Sequence, residues 1–216
     1  MKIATRLLTL ALCVSALSFG AIISIDDFGV NQALVSDSTL APPGAYSTEA
    51  IGGGVDRTIG AFLQGGVASA SAEVAGGVFL GNMASTADGQ TSSFYANPTL
   101  WDLSSPSIAG MTLDVISLEN YVGGQITFSI SDGTATATYA TPVPATGLLF
   151  APFAGFTGIG AVDKAAISEV GFTFDNTLAQ DITLDNFGLE QVPEPGTYAM
   201  IAAGLVGLFA IRRKRA

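Results

Sequence analysis

The fold class is decided by residues 126–139, which read Ile126-Thr127-Phe128-Ser129-Ile130-Ser131-Asp132-Gly133-Thr134-Ala135-Thr136-Ala137-Thr138-Tyr139. Apolar and polar side chains alternate before the Ser131-Asp132-Gly133 turn, and alternation with a period of two is typical of a strand with one buried face. An Asp-Gly dipeptide between two such runs is a strong signal for a hairpin turn. This stretch therefore predicts an antiparallel β-hairpin.

Similar short segments, separated by turn residues, recur on both sides of the hairpin. Before residue 196 no segment predicts an amphipathic helix, and Asp163–Ser168 is a candidate for a single helical turn. About ten short strands with turns between them predict an all-β fold, an antiparallel jelly-roll-like β-sandwich over residues 21–191. The further strand candidates are Val55–Leu63, Val67–Val74, Gly77–Leu80, Thr112–Leu118, Ile167–Phe174 and Asp181–Leu189. Loops are expected at Pro98, Pro106, Pro142, Pro144 and Pro152.

Two octapeptides at the ends of this body match each other position by position. They are Ile23-Ser24-Ile25-Asp26-Asp27-Phe28-Gly29-Val30 and Ile182-Thr183-Leu184-Asp185-Asn186-Phe187-Gly188-Leu189. In both, the apolar alternation shifts by one position at the acidic dipeptide, which turns the wrong face inward unless the strand contains a bulge. The pattern predicts bulges near Asp26-Asp27 and near Asp185-Asn186. We also expect these first and last strands to lie close together or to pair.

Residues 1–20 have the parts of a secretory signal peptide. A positively charged start, an apolar run over residues 7–17 and small residues before Ala21 follow one another in order. We expect cleavage after Gly20, with Ser18 as the second choice. A retained anchor helix is the alternative, but the apolar run is short against the about 20 residues that span a bilayer.

At the other end, Val192-Pro193-Glu194-Pro195 precedes an apolar run that is followed by Arg212-Arg213-Lys214-Arg215. The two prolines hold the chain extended, which suits a processing site. The apolar run has no polar face and predicts a transmembrane helix over about residues 197–211. The adjacent cations act as a basic stop that keeps the tail in the cytoplasm and the body outside.

This order of Pro-Glu-Pro, apolar helix and basic cluster resembles a PEP-CTERM sorting signal, over residues 192–215. The chain would then consist of a signal peptide (1–20), an extracytoplasmic domain (21–191) and a sorting and anchor segment (192–216). The resemblance implies processing by an exosortase-type enzyme and transient anchoring in the inner membrane. It also implies delivery to the cell surface or extracellular matrix of bacteria that make exopolysaccharide or biofilm. It implies no particular activity, because such tails are joined to unrelated bodies.

Composition excludes several classes of function. The chain has no histidine, and its one cysteine is Cys13 in the predicted signal peptide, so the common nucleophile–base pairs and thiolate zinc sites are excluded. Between the two ends only Arg57 and Lys164 are basic, against seventeen of the eighteen acids, all but Glu194. A body this acidic repels phosphate backbones, so we expect no nucleic-acid partner. Spacing assigns no pair of carboxylates to a glycosidase cleft, and we expect no enzyme activity.

The opening Ile-Asp-Asp-Phe and the closing Asp-Asn strand are similar to those of jelly-roll carbohydrate-binding modules. In those families the terminal strands often help to hold a structural calcium ion, so the resemblance implies Asp26, Asp27 and Asp185 as calcium ligands. Carboxylate oxygens are ligands that Ca²⁺ prefers. The alternative is that these side chains are solvated carboxylates at a strand edge or bulge and that no cofactor is bound.

Sugar-binding sites usually contain exposed aromatic rings, and this body has few candidates. Trp101, in the loop-like stretch Asn97–Pro106, is the first candidate for stacking on a sugar ring. The alternative is that Trp101 caps the core. The remaining candidates are Tyr95, Tyr121 and Tyr139. Arg57 is expected to pair with a neighbouring acid across a strand rather than to bind a ligand.

Two functions follow from these observations. The first is a non-enzymatic structural or adhesive protein of the cell surface or extracellular matrix, linked to exopolysaccharide. The alternative is a carbohydrate-binding module that uses an aromatic face.

Overall fold

The computed structural model describes residues 21–66, 68–84, 87–119, 124–176 and 180–192. The predicted signal peptide, the transmembrane helix and the sorting segment from Pro193 onward lie outside these ranges. Within the ranges, no helix is long and apolar enough to cross a membrane.

Thirteen β-strands and two short 3-10 helices follow one another through the described ranges. The strands are β1 (Ala21–Asp26), β2 (Gln32–Asp37), β3 (Ala45–Gly52), β4 (Val55–Gly65), β5 (Ala70–Ala75), β6 (Val78–Met83), β7 (Asp88–Trp101), β8 (Ile108–Leu118), β9 (Gln125–Ser131), β10 (Thr136–Pro142), β11 (Gly147–Pro152), β12 (Ile167–Asn176) and β13 (Asp181–Gln191). The 3-10 helices cover Phe153–Gly155 and Ile159–Ala161.

The strands form two antiparallel sheets. A seven-stranded sheet has the order β11-β8-β13-β6-β5-β2, with β1 also paired to β13, and a six-stranded sheet has the order β10-β9-β12-β7-β4-β3. The predicted all-β antiparallel sandwich is therefore confirmed.

The core lies between the two sheets and is rich in phenylalanine. The Phe172 ring of the six-stranded sheet contacts Phe79 and Phe187 of the other sheet, each with ring centroids 5.4 Å apart. All three rings are fully buried. Edge-to-face pairs of this kind stabilise beyond the area that they bury, so Phe172 helps to hold the layers together.

The predicted hairpin is present as β9 and β10. Phe128 lies opposite Tyr139, and Ile126, Phe128 and Ile130 are buried on one side of β9. Gly133 has a φ of 84° in the turn, a backbone conformation that favours glycine. The alternation in the sequence thus predicted which face of β9 is buried, and the Asp132-Gly133 dipeptide predicted the position of the turn.

The first and last strands pair, as the two octapeptides predict. Strand β1 lies antiparallel to β13, with Ala21 opposite Gln191. The register shifts between Ser24 and Asp26 in β1 and between Asp185 and Gly188 in β13, so both predicted bulges are confirmed. The first and last strands of the described body therefore have their outer ends side by side.

Strand β7 is the largest departure from the sequence prediction. The stretch Asn97–Pro106 was expected to be a loop, but β7 continues to Trp101, with an irregular register against β12 near Pro98. Pro142 and Pro152 are also in strands rather than loops. Each is the last residue of an edge strand, where a missing N–H is tolerated. Strands β2, β3 and β11 were likewise not predicted.

Candidate functional site

The outer face of the six-stranded sheet is a regular array of side chains fixed by strand register. In β7, Ser93 and Tyr95 are buried toward the core, and Ser92 and Phe94 alternate with them on the outer face. The register places one outer row across β3, β4, β7 and β12 at Tyr46, Gly60, Ser92 and Thr173. The next row consists of Thr48, Thr58, Phe94 and Gly171.

Tyr46 leans from the edge strand β3 over Gly60 of β4. A Cβ at Gly60 would lie 2.5 Å from Tyr46 Cε1 and 2.7 Å from Cδ1, so the ring fills the space of the missing side chain. Tyr46 is 52% exposed. One side of the ring therefore rests on the sheet, and the other side is open to solvent.

Phe94 makes the same arrangement with Gly171 of the neighbouring strand β12. A Cβ at Gly171 would lie 2.5 Å from Phe94 Cδ1. The Phe94 side chain is half-buried on the outer face. Two aromatic rings thus cover two glycines in adjacent rows, each ring held against a strand beside its own.

Hollows lie on both sides of Phe94, and we call them together the outer groove. The larger one, about 370 Å³, is bounded by Phe94, Tyr46 and Phe62, with the Pro42–Pro43 segment as a wall. Gln90, Ser92 and Thr173 supply its polar groups. The smaller hollow, about 290 Å³, is lined by Thr58, Phe94, Ala96 and Glu169. The outer groove thus combines aromatic surfaces with a few hydrogen-bonding groups, as ligand sites in proteins do.

The polar groups of the outer groove are mostly acceptors and hydroxyls. Burial raises the pKa of the Glu169 carboxyl above its usual range. At the other end, Gln90 Nε2 donates to Asp175 Oδ2 over 3.1 Å. Beside Phe94, the hydroxyls of Thr48 and Thr58 are 2.8 Å apart. These groups suit hydroxyl-rich ligands, which both donate and accept hydrogen bonds.

Asp26, a predicted calcium ligand, has a different role in the structure. Its Oδ2 accepts a hydrogen bond from Arg57 Nη1 over 2.6 Å, and both side chains are buried. Its Oδ1 accepts from the Phe28 N–H over 2.7 Å. The predicted pairing of Arg57 with an acid is confirmed, but the partner belongs to the other sheet instead of a neighbouring strand.

The three predicted calcium ligands do not form a metal cluster. In the ranges that the structure describes, no group of three or more acidic side chains is placed to hold an ion. Asp27 is exposed and accepts from the Gly29 N–H over 2.9 Å, and Asp185 accepts from the Asn186 N–H over 2.7 Å. Both hydrogen bonds join neighbouring residues within a turn or bulge. Calcium binding by these residues therefore stays a prediction, without support from their geometry.

The three predicted aromatic candidates that the structure describes do not lie in the outer groove. Trp101 is opposite Ile167, half-buried, and packs against the core. Tyr95 is fully buried and stacks on Phe187 with centroids 5.1 Å apart. Tyr139 stacks on Phe156 at 5.7 Å, and Tyr121 lies outside the described ranges. Binding of a ligand by Trp101 stays a prediction.

Sequence reasoning missed Tyr46, Phe62 and Phe94. Residues 90–93 are polar on both faces of β7 and two aromatics follow, so the sequence does not show that Phe94 faces outward and Tyr95 inward. Nothing in the sequence says that Gly171 lies beside it, because that requires the register of two strands distant in the chain.

The β-sandwich is similar to known folds. One is the family 11 carbohydrate-binding module of the cellulosomal cellulase Lic26A-Cel5E of Clostridium thermocellum, at 18% identity and a TM-score of 0.46, covering 82% of this chain and 98% of that chain. Another is the agarase AgWH50C, at 15% identity and a TM-score of 0.49, covering 81% of this chain and 25% of the agarase. This chain thus spans about a quarter of the agarase. No curated protein matches the sequence.

Residues 191–215 match the family described as the PEP-CTERM protein-sorting motif. The match starts at Gln191, the last residue of β13. Such a motif implies an exported protein with a membrane-anchoring sorting signal that an exosortase processes. The chain therefore carries a PEP-CTERM sorting motif at residues 191–215, joined to a β-sandwich body that resembles carbohydrate-binding module folds.

Proposed function

We propose that this protein is a non-enzymatic adhesive protein of the cell surface or extracellular matrix, whose jelly-roll-like body binds polysaccharide along the outer groove. The observation that carries the proposal is the pair of aromatic rings, Tyr46 and Phe94, that cover glycines on one outer face. A glycine below each ring lets it lie close to the sheet, so its other face is available to a flat apolar surface. The ring face of a pyranose is such a surface, and its hydroxyls reach the polar groups beside it.

The spacing of the two rings favours a chain over a single sugar. Gly60 and Gly171 are separated by two strand spacings and by two residues along the strand direction. With about 4.8 Å between strands and about 3.4 Å per residue, the two covered positions are about 12 Å apart. One pyranose ring is too small to contact both the Tyr46 ring and the Phe94 ring. We therefore expect affinity to rise with oligosaccharide length until both rings are occupied.

The sorting motif supports the proposed location. Val192, the last described residue, donates its N–H to Ser107 O over 2.6 Å, so the body is hydrogen-bonded as far as the residue that precedes Pro193 in the sequence. Val192 directly follows β13 of the seven-stranded sheet, whereas the outer groove is on the other sheet. A body delivered by an exosortase-type enzyme, first anchored in the inner membrane and then at the surface or in the matrix, would meet exopolysaccharide there.

The experiment that tests this function is a glycan array probed with the full chain in detergent, followed by calorimetry on the oligosaccharides that bind. Tyr46→Ala and Phe94→Ala are each expected to weaken binding by about tenfold, which corresponds to about 1.4 kcal/mol. Incubation of the same glycans with the protein should release no products.

Phe150→Ala is the matched control. Phe150 is also a partly exposed aromatic over a glycine, since a Cβ at Gly110 would lie 2.7 Å from its Cε2, but it belongs to β11 of the seven-stranded sheet. This variant should bind as the wild type does. Loss of binding in Phe150→Ala with full binding in Tyr46→Ala and Phe94→Ala would place the sugar on the other sheet and sink the proposal.

A further inference from the structure

No basic side chain of the described residues lines the outer groove. Among the residues that the structure describes, the sequence supplies two, Arg57 and Lys164. Arg57 is fully buried between the sheets and bonded to Asp26. Lys164 lies in the turn before β12 and lines neither hollow. Within the described ranges, the outer groove therefore has no guanidinium or ammonium to receive an anionic group of a ligand.

Carboxylates are present on the same face at both ends of the outer groove. Asp56 and Glu169 lie on either side of Ala96 in one outer row, beside the smaller hollow. Asp175 lies opposite Gln90 near the larger hollow. Glu169 is an exposed side chain that lines the smaller hollow beside Phe94 and Ala96, so a ligand in this hollow lies close to its charge.

We propose that the outer groove takes uncharged polysaccharides and rejects chains that carry uronate, sulfate or phosphate groups. The inference rests on the proposed sugar binding and names its ligand class. A fixed negative group on the ligand would lie near Asp56, Glu169 or Asp175 with no cation to compensate, and unpaired like charges are an effective means of excluding a wrong ligand. These carboxylates attract an uncharged chain, because its hydroxyls donate hydrogen bonds to carboxylate oxygens.

Salt dependence gives the first readout. Binding of an uncharged chain depends on stacking and short hydrogen bonds, so its affinity should change by less than about twofold between about 0.02 M and about 0.5 M NaCl. Rejection of an anionic chain is a charge effect and should weaken over the same range. A cationic site would show the reverse, with tight anion binding that salt abolishes.

The experiment uses pairs of polymers that share a backbone and differ in charge. Suitable pairs are a mixed-linkage glucan and its carboxymethyl derivative, a neutral galactan and its sulfated form, and methyl-esterified and de-esterified homogalacturonan. The full chain in detergent is titrated with each. On every backbone that binds, we expect the anionic partner to bind at least about tenfold more weakly. Equal or tighter binding of the anionic partner overturns this inference alone, whereas no binding to any polymer overturns the proposed function as well.

A charge-reversal variant locates the effect. Glu169→Lys should bind the anionic partner about tenfold more tightly than the wild type does, with affinity that falls as salt rises. Glu73→Lys makes the same change in net charge on the outer face of the seven-stranded sheet, at β5. That control should still reject the anionic polymer. If both variants admit it equally, the overall charge of the body and not the outer groove sets the selectivity, and the inference is wrong.

Discussion

Arg57 and Asp26 form an ion pair that joins the two sheets of the sandwich, with Nη1 and Oδ2 2.6 Å apart and both side chains buried. Arg57 also donates from Nε to Gln32 Oε1 over 2.9 Å and from Nη2 to the Val30 carbonyl. Its guanidinium lies 5.8 Å from the centre of the Phe28 ring. The only guanidinium in the described part of the chain thus holds the segment that follows β1 against the six-stranded sheet.

Arg57→Met should destabilise the protein strongly. The change leaves Asp26 buried without its cation, and breaking a buried pair from one side costs about 3–5 kcal/mol. Urea unfolding followed by circular dichroism measures the loss. Lys164→Met removes the other described cation, which is not in the core, and should stay within about 0.5 kcal/mol of the wild type. A loss below about 1 kcal/mol in Arg57→Met would show that the pair adds little to stability.

The sequence shows why Arg57 needs a partner but not which one. An acidic body with two internal cations makes pairing of each cation favourable, and the cross-strand neighbour of Arg57 in β4 is Glu49 of β3. That neighbour is exposed, whereas Arg57 points to the core. Asp26 becomes the partner because β1 of the other sheet packs over it. Packing between sheets brings together residues far apart in the chain, and no local pattern records it.

Substitutions of Asn186 test the bulge in β13 that the sequence predicted. Its φ is 48°, in the left-handed region that glycine and asparagine tolerate better than other residues. Asn186→Ala should lower the free energy of unfolding by about 1 kcal/mol, measured with urea, because alanine tolerates the left-handed region less well than asparagine does. Asn186→Gly loses the same side-chain bond to Asp114 Oδ2 without the strain, so it should be the more stable of the two. Equal stabilities would mean that the bulge relaxes around the substitution.

The two octapeptides revealed the bulges for a local reason. A bulge changes which face each following residue occupies, and the apolar alternation records this change directly in the sequence. The outer groove leaves no such record. Tyr46 and Gly60 are on one hairpin, but Phe94 and Gly171 are brought together by the pairing of β7 with β12. Outer-face residues also lack the hydrophobic pattern that core packing imposes, so an aromatic among them is not distinguished from a core residue.

Asp132 should make the protein sensitive to acid. Its carboxylate accepts N–H bonds from Asp163, Ala135 and Thr134, each 2.7 Å long, which lower its pKa well below the ordinary value of 3.8. A lowered pKa in the folded state means that the carboxylate stabilises the fold above pH 3.8 and that this contribution is lost as the pH falls below it.

The measurement is the urea midpoint of the wild type and of Asp132→Asn between about pH 5 and about pH 2. Other carboxyl groups titrate in both proteins, so the informative quantity is the difference between the two curves. The wild type should be the more stable at pH 5, and its advantage should shrink as the pH falls. Parallel curves would show that the three N–H bonds to Asp132, together with the O–H bond from Thr134 Oγ1 over 2.7 Å, contribute nothing that depends on its charge.

Alanine substitutions at Gly60 and Gly171 should displace the Tyr46 and Phe94 rings, with different effects on stability. The three atoms nearest to a Cβ at Gly60 all belong to side chains: Tyr46 Cε1 at 2.5 Å, Tyr46 Cδ1 at 2.7 Å and Ser92 Oγ at 2.9 Å. Gly60→Ala should therefore move the exposed Tyr46 ring and weaken oligosaccharide binding several-fold, with a stability change of less than about 1 kcal/mol. A Cβ at Gly171 also meets the Ser93 carbonyl oxygen at 2.6 Å, which belongs to the backbone of β7. Gly171→Ala should therefore cost about 1–3 kcal/mol as well as binding.

Calorimetry with a bound oligosaccharide and urea unfolding separate the two outcomes. Gly160→Ala is the control, because a Cβ there meets nothing within 4 Å, and it should leave both measurements unchanged. The informative variant is Gly60→Ala, since it alters the position of one ring while the sheet stays intact. If it binds sugar as tightly as the wild type does, Tyr46 does not need to lie flat on the sheet to act. Binding would then depend on the groups around Phe94, and the two-platform geometry that favours long chains would be wrong.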